Sequence, residues 1–386
     1  MSGNTLLTSQ SIAREATIRL QSTLVNAGLV YTDYSDTFAN VGDSVRVRKP
    51  ATFIADDFGG TINLQDINET SVTVKLNQIA DVSVELESKQ LTLDIQNFGD
   101  QVIDGAMLAI QEKIDKGISA MYQYVPYYSG VSGATPETLA NIATAMKTLN
   151  KNRVPPALRR AIWSPEAHAS LIVLDAIAGL DKSGTTAALR EASMGRIHMF
   201  DNYMNQNIKT HEAGAYSALE DVKATIVATN NAQDATTGLT YSVAALTSTA
   251  GTAETKLLKG DLLVINGKSY TVIEDTAAAV SGVIAITKIY PAVSANVTAQ
   301  DVTFPDKTAG GHVANLGFHK NAFALVSRPL ALPMGGADGY VTNLANQINV
   351  RVTMGYNMTT KKNIISFDCL YGISPIFPEL AVRILG

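Results

Sequence analysis

Cysteine is all but missing. Cys369 is the sole one in 386 residues, which excludes an internal disulfide and any zinc site built from paired cysteines. Charged side chains are also sparse, at 17% of the chain against 46% hydrophobic. That balance excludes a disordered polyelectrolyte, and the length suits two domains or one domain with a large insertion. A basic surplus is lacking too: 30 Lys and Arg against 35 Asp and Glu leave a net charge of −5, whereas proteins built to grip phosphates carry the opposite sign. The opening run MSGNTLLTSQSIA has neither the basic n-region nor the apolar h-region of a secretory leader. No apolar run of membrane length is found either; the uncharged stretch 235–253 is studded with Thr236, Thr237, Thr240, Ser242, Thr247, Ser248 and Thr249. The chain reads as soluble, mildly acidic and made inside the cell.

What is present falls into blocks. Residues 9–27 carry Ile12, Ala16, Leu20 and Leu24 at helical spacing, with Gly28 placed to end the helix. From Asp43 to about Leu93 the period drops to two: Val45 and Val47, then Val72, Val74 and Leu76, then Val82, Val84 and Leu86 alternate with polar residues. Between the first two sets, Gly59-Gly60 makes a turn easy, and Asp56, Asp57, Asp66 and Glu69 oppose Arg46, Arg48 and Lys49. This predicts a long two-stranded ribbon with a charged tip, which needs a partner surface because two strands alone bury too little.

Ile103, Met107, Ile110, Ile114, Ile118 and Met121 then form one apolar stripe, predicting a continuous helix over 101–124 that Pro126 ends. After the break SGVSGATPE the pattern is mixed α/β. Thr135 with Pro136 predicts a helix start, as Ser164 with Pro165 does further on. Arg160–Trp163 reads as a short buried strand, and Gly195–Met204 as a strand pair. No arginine occurs between Arg196 and Arg328, though the chain has 12 in all, and 216–311 holds 9 acids against 6 lysines. Within that stretch two strand-like runs flank Asn266-Gly267, the strongest short hairpin signal. A small all-β domain follows from this, after which 348–354, IISFDCLYGI and ELAVRIL return as strands.

Chemical motifs fail one by one. Gly267-Lys268-Ser269 lacks the glycine that a phosphate loop requires at position 262, where Leu stands, and β-type residues follow it. The histidines His168, His198, His211, His312 and His319 show no H-E-x-x-H and no i, i+4 pair, so no metal site is expected. Ser129–Gly133 misses the nucleophile-elbow spacing, and Gly335-Gly336-Ala-Asp-Gly339 misses the dinucleotide pattern. The tyrosines at 122, 124, 127 and 128 have no Lys or Arg among them to make a single-strand nucleic-acid platform. Cys369, in an apolar strand, reads as packing. The expectation is no enzyme, no cofactor and no metal; arm, ribbon and spine helix point to an assembly subunit.

Segment order carries a resemblance across essentially the whole chain. GDSVRVRKPATF at 42–53, QDINETSVTVKLNQIADVSVEL at 65–86, NRVPPALRRAIWSPEAHASL at 152–171, MGRIHMFDNYMNQNI at 194–208 and KGDLLVINGKSYTVI at 259–273 bear it. The chain resembles the major capsid (coat) proteins of tailed bacteriophages with the Hong Kong 97-type fold, in the short-tailed branch that carries an inserted β-barrel. The resemblance implies an α+β fold: N-arm 1–40, extended loop and peripheral strands 41–96, spine helix 97–126, axial domain 127–215, β-rich insertion 216–311 and a completing segment 312–386. It implies self-assembly as hexamers and pentamers into an icosahedral shell in the bacterial cytoplasm, with scaffolding and portal partners, around double-stranded DNA that is not read by sequence. Membrane contact is not implied. Candidate inter-subunit contacts are Arg46, Arg48, Lys49, Asp56 and Asp57 of the ribbon. Two other readings are a phage tail or decoration protein, and a two-domain enzyme with a scattered site.

Overall fold

The computed structural model describes residues 25–32, 44–48, 71–87, 103–179, 187–248, 255–307, 311–333, 335, 337–343, 348–360 and 362–386. Most of the expected N-terminal helix (9–24), the ribbon tip (49–70) and the start of the spine (97–102) lie outside these residues.

Alternation builds the first strands. β1 (Ser44–Arg48) and β2 (Ser71–Lys75) pair antiparallel, from Ser44↔Lys75 to Arg48↔Ser71, as the period-two pattern predicts. Val72, Val74 and Leu76 are buried against Ala324, Val326 and Ile376, so the ribbon's base is anchored on its own chain. β3 (Gln78–Glu87) follows. Helix α1 (Asp104–Ser119) buries Met107, Ile110, Ile114 and Ile118 along one stripe. The expected single helix to residue 124 needs one correction: Ala120–Tyr124 wind as a tighter 3-10 segment, a common ending for an α-helix. That change of pitch carries Tyr122 and Tyr124 inward, both buried.

A second layer starts with β4 (Tyr128–Ser129), α2 (Leu139–Lys151) and β5 (Arg159–Trp163). Thr138, extended at φ −131°, is the N-cap of α2 rather than Thr135. Helix α3 (Pro165–Ile172) starts as predicted, the Ser164 hydroxyl accepting from the Ala167 N–H at 3.2 Å. Short helices α4 (Asp175–Ala178) and α5 (Ala187–Glu191) precede β6 (Arg196–Ile197), β7 (Phe200–Met204) and β8 (Thr210–His211).

Seven strands then come from one continuous stretch: β9 (Val222–Ile226), β10 (Ala232–Gln233), β11 (Thr240–Ser248), β12 (Leu262–Ile265), β13 (Lys268–Val272), β14 (Val283–Tyr290) and β15 (Val297–Thr303). Their order is β10-β11-β14-β13-β12-β15-β9, and β9 also pairs with β11, which closes a barrel. Val222, Ala224 and Ile226 of β9 point inward with Ala244, Leu246, Leu263, Ile265 and Val272. The β12–β13 hairpin turns on Asn266 (φ 51°) and Gly267 (φ 72°), the two positive φ values a type I′ turn demands.

The chain returns as β16 (His312–His319), β17 (Phe323–Arg328), β18 (Ala337–Asn343), β19 (Asn349–Asn357), β20 (Lys362–Pro375) and β21 (Ala381–Leu385). β16 sits inside the axial sheet β4-β21-β16-β5-β7-β6 and also pairs with β8. β20 is the backbone of the five-stranded sheet: β3 runs along it from Lys362↔Glu87 to Tyr371↔Gln78, while β19 and β17 share its other edge. Ile365, Phe367, Cys369 and Tyr371 alternate onto the face that α1 covers. A Cβ at Gly372 would overlap the Lys75 carbonyl, so glycine is what lets β2 cross β20 there. The result is the expected α+β architecture, a spine helix over a sheet, a mixed α/β layer and a closed all-β insertion.

Candidate functional site

The barrel leaves and rejoins the axial layer at one place. His211 ends β8, His312 begins β16, and the two are Cα partners in the antiparallel register. Everything between them is the insertion, so both of its connections run side by side.

Five buried polar side chains converge on this junction. Arg383, fully buried in the apolar strand β21, donates from Nε to the Val125 carbonyl at 2.8 Å and from Nη1 to the Gly260 carbonyl at 2.5 Å. Its Nη2 donates to Thr271 Oγ1 at 2.7 Å. One guanidinium thereby ties the end of the spine (Val125), the barrel (Gly260, Thr271) and the axial sheet together. Its rigid fork of donors suits such a three-way joint, which a lysine could not reproduce. Burial lowers its pKa to about 10, so it keeps its charge at neutral pH.

Facing it are Asp261 and Asp306, both fully buried. Asp261 accepts from the N–H groups of Gly214 (3.0 Å) and Leu258 (2.8 Å), and Asp306 Oδ2 accepts from the Leu262 N–H at 2.6 Å. His211 Nε2 lies 3.0 Å from Asp261 Oδ1 and 3.6 Å from Asp306 Oδ2, while its Nδ1 is 3.0 Å from the Tyr122 hydroxyl. Burial opposes a charge on His211, but its bonds to Asp261 and Asp306 outweigh that and raise its pKa. Burial also raises the pKa of Asp261, with the His211 bond acting against it. His312 is pushed down to about 4 by burial and by the neighbouring His211. His312 therefore stays neutral at pH 7.

Around this core the barrel makes further contacts with the spine. Lys259 Nζ donates to the Tyr124 hydroxyl at 2.7 Å, and Thr271 Oγ1 donates to the Gln123 carbonyl at 2.8 Å. Tyr290 reaches Glu379 at 2.8 Å. Leu239, Ile273 and Tyr290 bury an apolar patch with Tyr124. The arrangement is a docking joint: its polar groups hold three elements in register. The nearest partner of His211 Nδ1 is a phenol that burial keeps protonated. Cys369, the sole thiol, is buried in β20 with its pKa pushed up to about 12, far from thiolate reactivity.

A second polar joint holds the segment before the ribbon. Asp115 on α1 accepts from Gln111 (3.1 Å) and Asn205 (3.3 Å), and its carbonyl accepts from Asn26 Nδ2 at 3.3 Å. Asn26 also donates to Ser119 at 3.1 Å. The turn at residues 26–28 is thereby fastened to the spine.

Of the candidate contact residues, Arg46 and Arg48 stand in β1 opposite Thr73 and Ser71. Lys49, Asp56 and Asp57 lie outside the described residues. The sequence expected no metal site, and the fold brings together a group that spacing could not reveal: His211, Asp261 and Asp306 offer ligand atoms all within 4.8 Å of one another. These residues are 45 to 95 positions apart. The one local clue was an arginine inside the apolar run Ala-Val-Arg-Ile-Leu at 381–385, since a buried cation calls for buried acceptors and counter-charge.

No family model and no curated sequence matches the chain. Among solved structures it is similar to a chain from Mycobacterium phage Che8, with 14% identity and a TM-score of 0.52 over 94% of this chain and 90% of that one. It is also similar to chains in the capsid of Ralstonia phage GP4 (10% identity, TM-score 0.48, 93% of this chain and 87% of that one) and in the capsid of Cyanophage P-SCSP1u (12%, 0.46, 92% and 85%). The first of these shows a shared fold along nearly the full length of both chains.

Proposed function

We propose that this chain is the major capsid protein of a tailed bacteriophage, a structural subunit that polymerises into an icosahedral shell around packaged double-stranded DNA. The observation that carries the reading is the fold shared with the phage Che8 chain over 94% of this chain. The resemblance of the ribbon, axial and insertion segments, reached from sequence alone, supports it independently. The physical character of the parts agrees. β1 and β2 form a two-stranded sheet whose described part packs on its own chain, and in this reading the charged stretch that the sequence places between the two strands lies on a neighbouring copy. A net charge of −5 suits a wall that must surround DNA without gripping it, since each neutralised phosphate would add affinity.

In this reading the partners are other copies of the chain in hexamers and pentamers, a scaffolding protein during assembly and a portal at one vertex. Many weak contacts repeated by symmetry close the shell, and the ribbon charges at Arg46, Arg48, Lys49, Asp56 and Asp57 are proposed among them. Negative-stain microscopy of the purified chain, made alone and together with its scaffolding protein, tests the proposal. Closed shells or tubes of uniform wall thickness are expected. A small defined oligomer under both conditions, with no shells at high concentration, would overturn it.

A further inference from the structure

We propose that His211, Asp261 and Asp306, whose ligand atoms lie within 4.8 Å of one another, form a binding site for one divalent transition-metal cation of the zinc class, which locks the barrel to the axial sheet. Donor spacing is the first argument. Two ligands about 2.1 Å from a common ion stand about 3.0 Å apart at a right angle and about 3.4 Å apart at a tetrahedral one. His211 Nε2 is 3.0 Å from Asp261 Oδ1 and 3.6 Å from Asp306 Oδ2, so an ion fits among these atoms with adjustments of tenths of an ångström.

Unpartnered atoms are the second argument, and they are independent of the first. Asp306 Oδ1 and both ring nitrogens of His312 have no hydrogen-bond partner, although Asp306 is 0% and His312 only 2% exposed. Burying such groups without a partner is costly. The Asp306 oxygen calls for a partner that accepts a lone pair, as a cation does; of the two His312 nitrogens only the unprotonated one could do the same. The pairing of β8 with β16 sets His312 directly opposite His211, their ring centroids 5.4 Å apart, which puts a second imidazole beside the three-residue group.

The surroundings have the form of an outer shell that orients metal ligands. The Tyr122 hydroxyl holds His211 by Nδ1, leaving Nε2 for the ion. N–H groups of Gly214, Leu258 and Leu262 fix the two carboxylates. Arg383 directs its donors to the carbonyls of Val125 and Gly260 and to Thr271, so it competes for neither carboxylate. A mixed nitrogen and oxygen donor set suits zinc or cobalt rather than calcium or magnesium. Because the ligands come from the end of β8, from the residue before β12 and from the stretch between β15 and β16, the ion would staple both connections of the insertion.

The test uses the full-length chain stripped with a chelator and titrated with Zn²⁺ by calorimetry, then with Co²⁺ by absorption. One equivalent of Zn²⁺ per chain, a rise of several degrees in Tm and the ligand-field bands of a four-coordinate Co²⁺ site are expected. Asp306→Asn keeps the size and the acceptor for Leu262, and should weaken binding at least tenfold. His211→Ala, which removes the donor between the two carboxylates, should do the same, and covers the case in which the first variant misfolds. His198→Ala, at an exposed turn residue, should bind as the unaltered chain does. No stoichiometric uptake by the unaltered chain, or uptake undiminished in both variants while circular dichroism shows them folded, would overturn the proposal.

Discussion

Single residues at this protein's joints work by supplying donors or acceptors to buried backbone carbonyls and side-chain amides. Arg383 does so for Val125 and Gly260, and Asp115 for Asn205 and Gln111. Asp115 also shows what that role costs. Burial raises its pKa above the ordinary 3.8, against the pull of its hydrogen bonds to Gln111 and Asn205. A carboxyl whose folded pKa lies above its unfolded one binds its proton more tightly in the folded state. Its contribution to stability is then complete below the unfolded pKa and is lost as pH rises through the folded one. Asp115→Asn keeps the shape and removes the titration. The variant should therefore gain on the unaltered chain as pH rises from about 4 to 7, read as the difference between their Tm values across that range. A pH-independent difference would mean that Asp115 does not titrate in this window.

Elements here are joined by close crossings as much as by side-chain packing. The ribbon's base lies over β20 with the Lys75 carbonyl against Gly372, and Val72, Val74 and Leu76 are buried beside it. Gly372→Ala places a methyl group where that carbonyl sits, and backbone cannot step aside as a flexible side chain can. The expected outcome is displacement of β2 from the sheet, at a stability cost of about 1–3 kcal/mol. Amide hydrogen exchange would report it as faster exchange over residues 71–76, with the barrel amides unchanged. Unaltered exchange over 71–76 would show that the sheet absorbs the methyl without losing the ribbon.

At the scale of the whole molecule, the proposed shell turns a weak local term into a large collective one. Each exposed ion pair is worth only about 0–1 kcal/mol, and a lattice repeats it many times. Reversing Arg46, Arg48 and Lys49 to Glu should therefore cut shell yield more than tenfold while leaving the unassembled chain's Tm within a few degrees. Adding Asp56→Lys and Asp57→Lys should restore part of the yield. Sedimentation of the assembly mixture measures both, and a salt series should show yield falling as screening increases. Shells formed in full by the triple variant would place the decisive contacts away from the ribbon.

Local pattern alone determined the parts whose physics is local. The spine's stripe from Ile103 to Ile118, the Ser164 cap, the Asn266-Gly267 hairpin, the alternation of β19 and the strands β20 and β21 were all legible, because a helix face, a cap or a two-residue turn is settled within a few neighbours. Two local readings missed. Thr138 rather than Thr135 caps α2, and the spine ends in a 3-10 segment once Tyr122 and Tyr124 turn into the barrel junction. Only the tertiary structure decided that the β-rich stretch closes through β9 and β11, and that His211, Asp261, Asp306, His312 and Arg383 share one buried pocket. Burial without partners, which makes such a group chemically telling, arises when distant segments exclude water together, and no window of sequence contains it.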